Sequence, residues 1–285
     1  MAELDEILNE YRPDEDKGEG SGKLKEEWQI KREQSRTEAF DMLESATVKL
    51  SDPAALATYF DVQSRFDRYS VSNALLVAAQ RPSATRLADF KFWQSHEASI
   101  KKGEHAITIL EPREYTKPDG TKGISYDPKR VFDISQTTME QKSRPAKPFD
   151  EKLLIKALTK TSPVKMLIDN DLPEGVNAKF SPESGTIGVR QGMTGSEIFR
   201  ALSQEIIKAR AAADDRPTGT FETAAVCYLL CRRHHIDPPA LPDKTPFEGI
   251  EPKDVRAMLK GIRDEANNMS AVMSRTLSPK NRDAR

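Results

Sequence analysis

Between Arg65 and Arg113 the chain sets aromatic rings and cations close together. Arg65, Phe66, Arg68 and Tyr69 run into Ser72-Asn73, Lys91, Phe92 and Trp93 follow, and Lys101-Lys102-Gly103-Glu104 leads into His105 to Leu110. An unpaired polynucleotide exposes base faces that stack on rings and phosphates that pair with cations, so this mixture suits single-stranded nucleic acid. Lys101 and Lys102 stand beside a glycine in a turn, where side chains are solvated and backbone amides can also meet a phosphate. Phosphate contact and plain solvation are both open for them. Phe92 and Trp93 either stack on bases or pack in a core, and Tyr69 and Asn73, four apart, form a polar lip of the groove or else cap and satisfy a helix. Gln136 is expected to end a strand in a structural role. Asp67, Asp89, Glu97, Glu104 and Glu111 lie among the cations and weaken the field they make.

Cys227, Cys231, His234 and His235 are a second constellation with metal-ligand chemistry. Ligands carried along one side of a single helix cannot close a tetrahedral shell around zinc. Phe221, Ala225, Tyr228 and Leu229 surround the cysteines in sequence, which predicts buried thiols, and the histidines suit a helix C-terminus, where cations complement the dipole.

Composition narrows the partners. The 285 residues are 37% hydrophobic and 31% charged, with a formal net charge of -1. Sizeable polar segments are therefore expected outside any core, and attraction to DNA must come from a local cluster. Two cysteines make no disulfide framework and suit a reducing compartment. No apolar run reaches the roughly 18 to 20 residues that span a bilayer, and the N-terminus opens acidic without an apolar signal core. The expected location is cytoplasmic, with no membrane partner.

The elements that must position these residues follow from period and punctuation. A helix is predicted from about Lys25 to Leu50, with apolar residues in its second half, and Asp52-Pro53 restarts a helix to about Arg65. Shorter helices are predicted over Asn73 to Gln80 and Asp89 to His96. A strand from His105 to Leu110 folds back at Pro118-Asp119-Gly120 through Ile124 and Tyr126, with a further strand from Val131 to Ile134. The second half opens with an amphipathic helix carrying Leu153, Leu154, Ala157 and Leu158, and a strand covers Val164 to Ile168. Ala178 to Phe180 and Thr186 to Val189 form a hairpin. A helix capped at Gly195-Ser196 runs from Glu197 to Ala213, another from Phe221 to His234 and a last one from Pro252 to Met273.

The order Tyr69, Asn73, Trp93, Lys102-Gly103-Glu104, Ile109, Pro112, Val131-Phe132-Asp133 and Gln136-Thr137 resembles the N-terminal domain of ArdC-type antirestriction proteins, related to LtrC-like proteins of conjugative elements. The resemblance covers roughly the first half. It implies single-stranded DNA binding in the life of a plasmid or integrative element, often with a zincin-like metallopeptidase domain attached. In such a domain an HExxH helix presents two histidines to zinc from one face, and the glutamate polarises a water. The matching place here reads Gln204-Glu205-Ile206-Ile207-Lys208. Both histidines are replaced, a lysine ammonium repels a cation, and Glu205 with Lys208 suits an ordinary helical ion pair of about 0.2 to 0.5 kcal/mol.

The expected fold class is α+β: a helical module with a small antiparallel sheet, then a zincin-like α+β domain. Its boundaries are an acidic leader at 1–24, a DNA-binding domain at 25–137, a linker at 138–149, the zincin-like domain at 150–274 and a basic tail at 275–285. Single-stranded DNA is expected to meet Arg65, Phe66, Tyr69, Asn73, Lys91, Trp93, Lys101, Lys102 and Arg113, with no sequence preference, no cofactor, no metal and no catalysis. Conjugation or replication proteins are further partners. Two rivals stand beside this: a hydrolase using Glu205 with a metal held by Glu222 and other carboxylates, and a protein-interaction adaptor without DNA affinity.

Overall fold

The computed structural model describes residues 20–140 and 150–278. Most of the expected leader and linker, and the tail beyond Ser278, lie outside the described residues. Helix α1 (Gly20–Val48) ends in a 3-10 turn at Lys49–Ser51, and α2 (Pro53–Arg65), α3 (Val71–Gln80), β1 (Leu87–Ala88) and α4 (Phe90–Ser95) follow. Strands β2 (Ile107–Thr116) and β3 (Lys122–Asp133) then lead through a 3-10 turn at Ile134–Gln136. The second half comprises α5 (Glu151–Thr159), β4 (Lys165–Ile168), β5 (Ala178–Ser181), β6 (Thr186–Val189), α6 (Gly195–Ala213), α7 (Thr220–Arg233) and α8 (Pro252–Leu277). The fold is α+β.

Local chemistry starts these helices. Asp52 accepts from the Ala55 amide with Pro53 behind it, Ser70 accepts from Asn73, and Asp89 accepts from Phe92. Helix α6 is capped by Thr194, whose hydroxyl and the Glu197 carboxylate form a capping box, so the expected cap at Gly195-Ser196 lies one residue late.

The first sheet has the order β1-β3-β2 and is antiparallel, its long pairing running from Ile107 opposite Val131 to Thr116 opposite Lys122. The return through Tyr126 and the strand from Val131, expected as two pieces, are one strand. In the second sheet, ordered β4-β6-β5, β4 runs parallel to β6 and β5 antiparallel.

Among the described residues the outer edge of β2 has no neighbouring strand, and helix α3 closes it with side-chain amides. Gln80 gives Nε2 to the Thr108 carbonyl at 2.9 Å and takes the Thr108 amide on Oε1 at 2.8 Å. One strand step on, Asn73 does the same for Leu110 at 2.9 and 2.8 Å. Two helical turns separate these residues, so one face of α3 imitates a partner strand. The next outward-facing residue, Pro112, has no amide proton to leave unpaired.

A buried polar knot fixes the other end of the ribbon. Asp133 Oδ1 accepts the Thr85 and Arg86 amides at 2.7 and 2.8 Å, and its Oδ2 accepts from the Ser135 amide and hydroxyl. Gln136 takes the Asp133 amide at 2.8 Å and donates to Glu104 at 2.9 Å and to the His105 carbonyl at 2.7 Å, while Arg81 pairs with Glu104 at 3.0 Å. Burial alone would raise the Asp133 carboxyl, but hydrogen bonds from Ser135, Arg86 and Thr85 overcome it and hold it below the usual carboxylate range.

The two halves share one apolar cluster, in which Leu56, Phe60, Leu75 and Leu76 join Phe199, Ile206, Leu229 and Met269. Tyr228 donates to Asp61 at 2.8 Å, Arg232 pairs with the same carboxylate at 2.8 Å, and Asn267 donates to the Asp67 carbonyl at 3.1 Å. No helix among the described residues is long and apolar enough to cross a membrane.

Two stability outcomes follow. Asn73→Ala leaves both backbone groups of Leu110 without their partner, and Gln80→Ala does so for Thr108; each is expected to cost about 1 to 3 kcal/mol in urea unfolding. Unchanged midpoints would show that the edge does not need these amides. Burial, with Arg233 and His235 adding to it, pushes the His234 imidazole down to about 4. Its unfolded value is near 6.5, so the neutral ring's contribution is complete above that pH and is lost as pH falls towards 4. Melting temperature is expected to drop across this window, and His234→Leu to flatten the drop; an unaltered slope in the variant would refute the assignment.

Candidate nucleic-acid interface and the α6 cleft

The structure gives the expected contact residues different positions from those of one cleft. Trp93 is 0% exposed and its Nε1 is shared between the Ala88 and Phe132 carbonyls at 3.1 and 3.0 Å, so its ring presents no face to a base. Both ends of the Asn73 amide are engaged by Leu110. Tyr69 precedes the Ser70 cap of α3 and so does not share a helical face with Asn73; a polar lip made by the two is replaced by an edge closure. Arg65 donates Nε to the Ala84 carbonyl at 3.1 Å and its second nitrogen to Pro82, holding the loop after α3.

Phe66 and Tyr69 meet at a tilt of 33°, ring centroids 5.1 Å apart, and pack half-buried against the core. Burial raises the Tyr69 phenol, which the nearby Lys129 ammonium partly opposes. Lys129 pairs with Glu111 at 2.8 Å and Asp89 at 3.6 Å. Exposed cations remain at Lys91, Lys101, Lys102 and Arg113. Lys101 Nζ reaches the Ser135 carbonyl at 2.9 Å at the base of the ribbon, whereas Arg113 pairs with Asp127 at 3.5 Å well along it. Six residues of strand from Ile107 to Arg113 span about 20 Å. Lys101 and Arg113 therefore sit at different levels of the ribbon, and Lys91 is on α4, so the cations are not gathered in one groove.

Sequence reasoning gave the turn and the return through Ile124 and Tyr126 but ended the first strand at Leu110, six residues short of the end of β2 at Thr116. From Glu111 to Thr116 every residue of β2 is exposed, and Tyr115, Ile124 and Tyr126 are exposed at 47%, 62% and 46%.

In the second half, α6 and the edge strand β5 line an open cavity of about 740 Å³ with Glu197, Arg200, Gln204, Glu205 and Lys208 on the helix and Lys179 and Phe180 on the strand. Glu205 is 8% exposed and both its oxygens are engaged: Oε2 accepts the Phe180 amide at 2.8 Å and Oε1 accepts Lys208 Nζ at 2.7 Å. Phe180 belongs to the outward set of β5, so the carboxylate closes part of a sheet edge. Glu222 is elsewhere: it accepts the Gly219 amide at 2.9 Å and lines a separate cavity of about 160 Å³ beside Arg216 and Glu265. Cys227 and Cys231 are buried with Sγ atoms 3.9 Å apart, and His234 caps the end of α7.

Comparison with protein families matches residues 28–150 to the N-terminal domain of the anti-restriction factor ArdC. Residues 28–150 form an ArdC-type N-terminal domain. Among solved structures, the metal-free crystal structure of the antirestriction ArdC protein from plasmid R388 is similar at 13% identity and a TM-score of 0.50, covering 73% of this chain and 85% of that one. The Mn(II)-bound crystal structure of the same protein aligns at 12% identity and a TM-score of 0.49, covering 78% and 99%. A comparison with curated proteins returned no match. The likeness is one of fold, and it extends past the ArdC-type domain into the second half.

Zinc, which the resemblance implies for a helix in the place of α6, does not fit the residues there. Gln204 is a poor ligand, Lys208 brings an ammonium, and Glu205 is held by an amide and that ammonium. Among the described residues no group of three or more His, Cys, Asp or Glu could hold a metal ion. Glu205 instead ties β5 to α6. Glu205→Ala is expected to lower stability by about 1 to 3 kcal/mol, since the Phe180 amide loses its acceptor. Urea titration checks this, and a variant as stable as the parent would remove the tie.

Proposed function

We propose that the ArdC-type domain binds single-stranded DNA with little sequence preference, in DNA protection or antirestriction for a conjugative or mobile element. The second half is then a zincin-like fold without metal or peptidase activity. The match of residues 28–150 to the ArdC N-terminal domain carries this reading. It is supported by the exposure of Lys91, Lys101, Lys102 and Arg113 on that domain, where their charges can meet phosphates. Occlusion is the mechanism: a coated strand is withheld from nucleases. Conjugation or replication proteins are the natural companions of such an activity.

The lack of catalysis in the second half is supported by the state of Glu205. A general base needs a free oxygen and a water made acidic, and here the carboxylate is bound on both sides. A hydrolase built from Glu205 and Glu222 is disfavoured because the two line different cavities.

A salt series of binding to labelled single-stranded and duplex DNA tests the proposal. Affinity for the single strand is expected to fall steeply as salt rises, and Lys101→Ala with Lys102→Ala to reduce the slope of log K against log salt by about 1 to 2. No measurable binding at low salt would overturn the reading in favour of an adaptor.

A further inference from the structure

The β2–β3 ribbon is longer than the fold requires. Its base is locked by α3 and the Asp133 knot and one face meets Arg32 of α1, yet the pairing continues to Thr116 and Lys122, with every β2 residue from Glu111 on exposed. A two-stranded ribbon standing off the body is marginal in water. Exposed apolar side chains on it are therefore a recognition feature more than a folding one.

The two faces differ. On one, the Tyr115 ring lies across Gly123, where a β-carbon would sit 2.6 Å from it, so this ring is occupied in covering its own backbone. Next along that face Arg113 and Arg32 of α1 both pair with Asp127. The opposite face carries Ile124, Tyr126, Pro128 and Arg130 of β3, with Pro112 across from Tyr126 and Glu114, paired to Lys122, across from Ile124. Among the described residues the Tyr126 ring and the Arg130 guanidinium have no hydrogen-bond, ion-pair or ring partner. Every acid on the ribbon is already matched: Glu111 by Lys129 at 2.8 Å, Glu114 by Lys122 at 3.3 Å, Asp127 by the two arginines, and Asp119 by the Thr121 amide and hydroxyl. Of the charges without an ion-pair partner, Lys117 and Arg130 outnumber Asp119.

We propose that this outer face of the ribbon is where an unpaired DNA strand is held, with a base stacked on Tyr126 beside Ile124 and a backbone phosphate on Arg130. Tyr126 and Arg130 are four strand residues apart, about 14 Å, so one chain of nucleotides can meet both in sequence. An exposed ring face serves an unpaired base, because a duplex keeps its base faces stacked. The inference rests on the single-strand reading above and names the surface that performs it.

The test uses the full chain and fluorescence anisotropy with a labelled oligothymidine and a duplex of equal length. Tyr126→Ala is expected to weaken oligothymidine binding about tenfold, and Tyr126→Trp to restore it. Arg130→Gln is expected to lower the salt slope by about 1. Unchanged melting temperatures show that the variants remain folded. If the parent binds and Tyr126→Ala and Arg130→Gln bind equally well, the ribbon is not the site, although single-strand binding stands. If the parent holds the duplex as tightly as oligothymidine, the stacking role is overturned. If it holds neither at low salt, this inference and the functional reading fall together.

Discussion

A two-stranded ribbon with one open edge needs something to occupy its outward amides and carbonyls before a helical layer can pack beside it. Here α3 supplies Asn73 and Gln80, whose side-chain amides have the donor and acceptor of a peptide group and sit at the spacing of alternate strand residues. An unpaired buried backbone group costs about as much as several good contacts bring. This closure therefore sets the position of α3 on β2. The remaining geometry of the ArdC-type domain then follows. Asp133 anchors the loop before β1, Gln136 and Glu104 hold the Lys101 turn against the end of β3, and the Trp93 indole joins β1 to β3.

The same physical demand explains the second half. Glu205 is buried, and a carboxylate out of water must be hydrogen-bonded or paired. The Phe180 amide and the Lys208 ammonium meet that demand, one across the cleft and one along the helix. A residue type that serves as a base beside a metal becomes, with lysine in the following turn, a bracket between sheet and helix. The bracket joins the two walls of the cleft, whose lining also includes Arg200 and Lys179.

Much of this could be read from local chemistry. Asp52-Pro53, Asp89 and Pro118-Asp119-Gly120 name their caps and turn without tertiary help, and the Glu205 to Lys208 pair follows from helical spacing alone. The roles of Asn73 and Trp93 could not be read in that way. An amide on a short helix looks the same whether it faces a phosphate or a strand edge, and only the arrival of Leu110 from thirty-seven residues away decides. The full extent of β2 was hidden for a related reason: its exposed residues Glu111 to Thr116 carry no alternation between apolar and polar residues, which is the signal that a half-buried strand provides.

Several residues that make the first half resemble ArdC-type domains are internal. Asn73, Trp93, Glu104, Asp133 and Gln136 bond to backbone or to each other. They specify how the ribbon is held, and likeness at these positions transmits the scaffold. Contact with a ligand is a property of groups left without internal partners. Among the described residues of this domain the groups without internal partners include the Tyr126 ring and the Arg130 guanidinium. A fold of this kind can therefore keep its frame while the chemistry along the ribbon varies, and the surface of each chain has to be read residue by residue.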